Sequence, residues 1–544
     1  MLKKITLSLI LSFACMVTMG QKSYSPPRLV VNIIVGAMRS GDIDRYRNSF
    51  SDGGFVRLKD GGVNFTNASY SFHQTLTPTS LATLSTGALP SSHGVVGYGW
   101  WEYILGSKVD LVEDDKVRNL DYNIRDHGYS AHRLSAPTLT EGLLQQNPLS
   151  KSVSIALDAS SAIMMSGQMG EPYWIDPLTC EWGSSTAFMD SLPEWTLLHN
   201  KSTLMKEIIN ERWVSLLPQS FYVNSYSEKL QKPSSPTKKF EVKSQPKAKS
   251  RVEQIKINYE QLAYTPAGNR LILEYAKRVV ESMDLGGDTH PDVLNIYLDP
   301  ARNIAQRYGA SSVEVEDMYR HLDHEIGDLV ATLTKRMHSG EVVFVVTSDH
   351  GISPTYGEEQ QPKGRFSASQ FMVLTNSFLR ARYGDDSWVL GYQGRNLYLN
   401  HELIFKHNLS VGEVQNEVAS FALQFRGVAH AITASAMRSG HFGSGYGQKM
   451  QNSFYPRRSG DVVLNFMPGW IEEREGVRAD AGSTYRYDNH VPLIIYGEGY
   501  FLRQSISREL SMECVAPTLA RIMGIESPAA ADGEPIEEIV NVLK

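Results

Sequence analysis

Glu-Val-Val-Phe-Val-Val-Thr-Ser-Asp-His-Gly, residues 341–351, decides the fold. From Val342 to Thr347 every residue is apolar or β-branched, the pattern of a strand buried on both faces. The run ends in Ser348, Asp349, His350 and Gly351. In open α/β sheets, chemistry collects just beyond the carboxyl ends of the strands. A carboxylate beside an imidazole at such an edge suits a divalent metal, and Gly351 lets the chain turn sharply away. The same pair also suits an Asp capping a turn beside a structural His. These residues alone leave both open.

Working outward, residues 28–35 form a second buried strand, ending at Gly36-Ala37-Met38-Arg39. Residues 152–157 and 293–298 read the same way, the latter running into Asp299-Pro300. Residues 314–330 place Val315, Met318, Tyr319, Leu322, Ile326, Leu329 and Val330 on one helical stripe, just ahead of the Asp349 strand. Strand, helix and strand in succession predict βαβ units. The expected fold class is therefore α/β, a doubly wound, mostly parallel sheet with helices on both faces. An extended segment at 65–72 leads to a polar turn at 73–77. Pro78 then occupies a favoured first position of a helix reaching about Ser85. Residues 88–99 read as a Gly/Pro/Ser-rich loop, 139–144 start a helix, 492–496 return to the core, and 516–523 close with a helix.

Two regions break the pattern. Residues 225–251 alternate lysine, serine and proline with few apolar side chains, which predicts a mobile, solvated basic loop. Residues 357–479 are shorter mixed segments rich in Gly, Arg and Tyr, expected to form a cap inserted over the sheet's carboxyl edge.

A formal net charge of −6 over 544 residues excludes a general nucleic-acid binder. Residues 1–20 read as a cleaved secretory signal: Lys3 and Lys4, an apolar run at 5–17, and Thr18-Met19-Gly20 before Gln21. Lipidation at Cys15 is disfavoured, because Phe13 stands where a small residue is needed. The mature chain, 21–544, is thus expected in the periplasm or outside the cell. It has no further run long enough to span a bilayer, so it is not expected to be an integral membrane protein. Cys180 and Cys514 are expected to be buried and unpaired.

Taken together, the motifs resemble the alkaline phosphatase superfamily, in particular secreted bacterial alkaline phosphatases near the type I phosphodiesterase/nucleotide pyrophosphatase branch. The resemblance rests on the 28–35 strand with Met38-Arg39, on Thr86-Gly87, Pro90, His93-Gly94 and Gly97, and on Thr265-Pro266 with Gly268-Asn269. It continues through Val313-Glu314-Val315-Glu316-Asp317, Ser348-Asp349-His350-Gly351, Arg458-Ser459-Gly460-Asp461 and Asn489-His490-Val491-Pro492, and closes with Ala516-Pro517-Thr518 and Gly533. It implies two zinc ions and phosphoester hydrolysis through a phosphorylated Thr or Ser. Paired metals clamp the attacking and leaving oxygens of an in-line displacement, and each needs about three protein ligands.

Position by position, the resemblance implies a dismantled site. The family's first-strand metal-binding Asp falls at Gly36. Its nucleophile falls at Thr77, its phosphate-contacting Asn at Tyr98, and its phosphate-binding Lys and Arg near Asp158 and Ser160. The Asp and His of one zinc site fall at Arg302 and Gln306, and the last His at Ala481, while Asp349 and His350 are kept. His490 matches a position that is not a ligand. The expectation is a catalytically degenerate, secreted member without a cofactor, kept for binding an envelope protein or a small ligand. The alternative is an active, zinc-dependent hydrolase built on Thr77, Asp349 and His350, with help from His430 or His441. Two finer expectations follow: Thr77 caps its helix, and Arg302 occupies a former metal position and pairs directly with Asp349, close to His350 and Gln306.

Overall fold

The computed structural model describes residues 24–120, 127–224, 239–241, 250–337, 340–355 and 364–542. The expected signal at 1–20 with Cys15, most of the 225–251 loop and the first residues of the cap lie outside them. Alternation in each central strand explains the two-sided core. Leu29, Val31, Ile33 and Val35 join one apolar cluster, and Val30 and Ile34 the other. Phe344 and Val346 divide from Val343 and Val345 in the same way. Helices Pro266–Ser282 and Val313–Arg336 cover the first face, and Thr77–Thr86, Ala159–Ser166 and Val515–Met523 the second. Burying each such Val, Leu or Phe contributes about 1.5–3 kcal/mol, so a charge at Val345 would be expected to unfold the sheet.

The main sheet runs Gln504–Ile506, Val63–Ser69, His490–Tyr496, Val342–Thr347, Leu29–Val35, Asp292–Leu298, Ser152–Ile155, Glu171–Ile175 and Trp182–Gly183. Leu29–Val35 pairs in parallel with Asp292–Leu298 on one side and Val342–Thr347 on the other. Ile34 lies opposite Thr347 and Val35 opposite Leu298, so Gly36, Asp299 and Asp349 emerge together at the carboxyl edge.

Several expectations needed correction. The strand expected at 492–496 is His490–Tyr496 and runs antiparallel to both neighbours, making the sheet mixed. The chain leaves the sheet at Gly351 and comes back at His490 from the same edge, so this strand runs in the opposite sense. The 65–72 strand is Val63–Ser69, after which Tyr70 and Phe72 are buried outside the sheet. The 88–99 loop contains a helical turn, Pro90–His93, closed by left-handed Gly94. The helix expected at 314–330 spans Val313–Arg336, capped by Ser312. Arg251, placed at the end of the basic loop, opens the helix Arg251–Tyr264 with Ser250 as its cap. The described part of the cap has its own sheet, in the order Val389–Gln393, Asn396–Leu399, Val462–Phe466, Val428–Thr433. Helices Ala368–Tyr383 and Val411–Ala422 pack on it around Phe371, Leu397, Val418 and Phe466. Cys180 and Cys514 are buried and free.

Candidate functional site

Asp349 is the hub of the carboxyl edge and is fully buried. Its Oδ1 accepts the Ala37 N–H at 2.9 Å and the His350 N–H at 3.0 Å. Its Oδ2 accepts the Thr77 and Tyr297 hydroxyls, each at 2.7 Å, and lies 3.1 Å from His350 Nε2. His350 Nδ1 faces the Gly351 carbonyl at 2.5 Å. Burial pushes the Asp349 carboxyl up, but His350, the nearby Arg302 and the converging donors overcome it and hold Asp349 below the usual carboxylate range.

Thr77 is the first residue of its helix, and the N-cap is Leu76. The expected capping role is therefore wrong: the hydroxyl is taken by tertiary partners. It gives its only proton to Asp349 and accepts from Arg302 Nη1 at 2.6 Å. Arg302 points inward as expected, but forms no direct pair with Asp349. Its Nη1 is shared between Thr77 and the Tyr98 hydroxyl, the latter at 2.8 Å, while Nε and Nη2 hold Asn303 Oδ1 at 3.2 and 3.1 Å. Tyr297 and His350 already occupy the carboxylate oxygen that Arg302 would need. One helical turn beyond Arg302, about 6 Å along the axis, Gln306 donates to Asp480 Oδ1 at 3.4 Å. Asp480 also pairs with Arg474.

The Gly36 backbone is hemmed in. A Cβ there would stand 2.7 Å from Arg302 Cβ and 2.9 Å from the Tyr297 hydroxyl. Ala481 is buried, and its carbonyl and that of Gly482 accept the Arg395 guanidinium at 2.8 and 2.6 Å. Ala37, Gln74 and Arg395 all take left-handed backbone conformations, with φ of 60°, 58° and 67°. Three strained non-glycine residues on one rim fit a constrained functional architecture. Asp158 caps the helix Ala159–Ser166, accepting the Ser161 N–H at 3.1 Å and the hydroxyls of Ser160 and Ser161.

Zinc does not fit these residues. No three His, Cys, Asp or Glu side chains come together for a metal among the described residues. Both Asp349 oxygens are committed to protein donors, and the space at Gly36 is filled. His430 stacks on Tyr446 and bonds Asn465, His441 is exposed, and His490 bonds the Thr66 carbonyl, so none of the three contacts Asp349 or His350.

Sequence reasoning missed Tyr297, Asp299, Arg395 and Asp480. A tyrosine hydroxyl inside an apolar strand was the available sign for Tyr297, since a buried O–H needs a partner. Asp299 is also buried. Its Oδ2 accepts the Leu157 N–H at 2.8 Å, whereas Oδ1 has no partner. Burial, with Asp158 adding and Arg302 opposing, pushes its carboxyl up to about 7.

The type I phosphodiesterase / nucleotide pyrophosphatase family model matches residues 30–479. A Myroides odoratus protein named calcium-transporting ATPase is 26% identical over 552 residues, covering 99% of each chain. Alkaline phosphatase PafA of Elizabethkingia meningoseptica is 25% identical over 528 residues, covering 94% of each. The crystal structure of wild-type PafA superposes with a TM-score of 0.85 at 24% identity, covering 95% of this chain and all of that one, which shows the shared fold. No helix among the described residues is long and apolar enough to cross a membrane. With the model spanning most of the sequence and the phosphatase fold beneath it, the chain belongs to the type I phosphodiesterase / nucleotide pyrophosphatase family of the alkaline phosphatase superfamily.

Proposed function

We propose that this chain is a secreted, catalytically silent member of its superfamily, kept in the periplasm or outside the cell for binding. One observation carries the reading: protein donors saturate Asp349, and Arg302 with Tyr297 fills the space a metal centre would use. A threonine hydroxyl is a weak nucleophile unless a base or a metal activates it. Here its proton is bound to a carboxylate held below its usual range, which is a poor base. Purified mature protein, dialysed against zinc and measured by elemental analysis, is expected to hold no stoichiometric metal. EDTA is expected to leave its Tm unchanged, and phosphomonoesters and phosphodiesters are expected to turn over no faster than buffer. Stoichiometric zinc with turnover, or a phosphate on Thr77, would overturn this.

A hydrolase reading has one specific support, the Thr77 hydroxyl lying 2.7 Å from Asp349. A zinc-dependent version at Asp349 and His350 requires Arg302 to leave Thr77 and His350 to turn from Gly351. Turnover abolished by EDTA would favour that version. Turnover indifferent to EDTA would point to Asp349 as a direct base.

A further inference from the structure

Between the cap sheet and the returning strand His490–Tyr496, residues 473–482 cross the carboxyl edge as a strap. Its two ends are tied down. The Glu473 N–H donates to the Phe366 carbonyl at 2.9 Å, and the carbonyls of Ala481 and Gly482 accept the buried Arg395 guanidinium at 2.8 and 2.6 Å. Between the ends, the strap touches both flanks of the Asp349 centre. On one flank, the N–H groups of Arg478 and Ala479 donate to the Gln306 carbonyl at 2.8 and 3.4 Å, on the helix that carries Arg302. On the other, just beyond Asp349, the Ser353 N–H donates to the Asp480 carbonyl at 2.9 Å, and the Asp480 N–H to Ser353 Oγ at 3.0 Å. The Arg474 guanidinium faces Asp480, then Glu472 and the Tyr98 hydroxyl, and these anions and dipoles outweigh burial and tighten its hold on its proton. That same Tyr98 hydroxyl accepts from Arg302.

Thr77 is 1% exposed, so a molecule reaches its hydroxyl only after something moves. Thr77 itself is bound at 2.7 Å to Asp349 and at 2.6 Å to Arg302. The closure of the strap is longer and half in water. Gln306 Nε2 meets Asp480 Oδ1 at 3.4 Å, and Arg474, with its side chain 48% exposed, pairs with Asp480 Oδ2. Solvent and salt screen such a pair. The Arg365 guanidinium adds bonds to the carbonyls of Arg474 and Val477 at 3.3 and 2.9 Å. At the tip, Gly476 is left-handed with φ of 74°, and a Cβ there would meet nothing within 4 Å. Segments held by exposed bonds between fixed ends open at lower free energy than the fold itself. We propose that this strap is a gate: the route to Thr77 runs beneath it, and the Arg474–Asp480–Gln306 closure sets how often the route opens. The inference goes beyond the silent-enzyme reading and stands whether or not Thr77 turns over phosphoesters.

Thiol labelling of the full mature chain with methyl methanethiosulfonate reads the opening. Thr77→Cys places a thiol at the centre, and Cys180 and Cys514, buried and free, serve as internal controls. The new thiol is expected to react slowly. Adding Arg474→Ala or Asp480→Asn is expected to speed it about fivefold, the factor that a well-placed, half-exposed ion pair can hold back. Glu475→Ala, at the exposed tip, is expected to leave the rate unchanged, as are the rates of Cys180 and Cys514 in every variant. Salt at about 1 M, which shortens screening to about 3 Å, is expected to speed labelling of Thr77→Cys but not once Arg474→Ala is added. Hydrogen exchange needs no new thiol: in Arg474→Ala it is expected to quicken at 474–480 and not in the cap strand Val462–Phe466. An unchanged rate in both closure variants, an equal rise at Cys180 or Cys514, or faster exchange throughout Val462–Phe466 would overturn the proposal.

Discussion

Asp349 and Asp299 stand at the ends of the two strands that flank Leu29–Val35, on either side of Gly36, and both are buried. Asp349 meets two backbone N–H groups, the hydroxyls of Thr77, Tyr297 and Ser348, and an imidazole and is held below the ordinary carboxylate range. Asp299 meets a single backbone N–H and is pushed up to about 7. Burial is the same in kind for both, so the imidazole beside Asp349, with the donors on its oxygens, makes the difference.

The strongest way to break the contrast is Asp349→Ala. It leaves His350 without its carboxylate partner and deprives the Thr77 and Tyr297 hydroxyls and two backbone N–H groups, at an expected cost of about 3–5 kcal/mol in urea unfolding. A cost under about 1 kcal/mol would show that the network is slack. Next comes Arg302→Ala, which takes away the charge that reaches Asp349 through Thr77. A loss of about 2–3 kcal/mol is expected, against about 0.5 kcal/mol for an ordinary surface change.

Asp299→Asn should move stability the other way, and only at higher pH. A folded-state carboxyl raised to about 7 holds its proton while the unfolded chain, near 4, has released it. Stability therefore falls as pH rises through that window, and the asparagine variant avoids the fall. It is expected to be about 4 kcal/mol more stable than the parent at pH 8 and close to it at pH 4. Asp349 has the opposite sign: its depressed value contributes stability above the unfolded pKa of about 4, lost as pH falls through the folded value. A parent protein equally stable at pH 5 and pH 2 would contradict this. The smallest effect is expected from Thr77→Val, about 1–2 kcal/mol, with helical content by circular dichroism unchanged because Thr77 is no cap.

The core strands were legible because burial on both faces leaves uninterrupted apolar runs, as at 342–347 and 28–35. The direction of His490–Tyr496 was not, since it depends on where the chain returns from the cap, and apolar periodicity carries no sense of direction. Thr77 was misread for a related reason. Local capping preference points to a threonine ahead of a proline-led helix, whereas Asp349, 272 residues away, claims the hydroxyl. Arg302 could be placed inward from its position, but its partner could not. That choice was set by Tyr297, which read as one more apolar strand residue.

Gly36 carries a consequence for how such a centre can change with time. Any side chain there meets Arg302 at its Cβ, an atom that shortening the arginine to alanine does not remove. A carboxylate fits at position 36 only after the helix Asp299–Tyr308 shifts or position 302 becomes glycine, and after the Tyr297 hydroxyl has gone. Each of those steps strips a donor or a charge from Asp349 before anything replaces it. Such a change thus passes through less stable intermediates, and no single substitution begins it without loss.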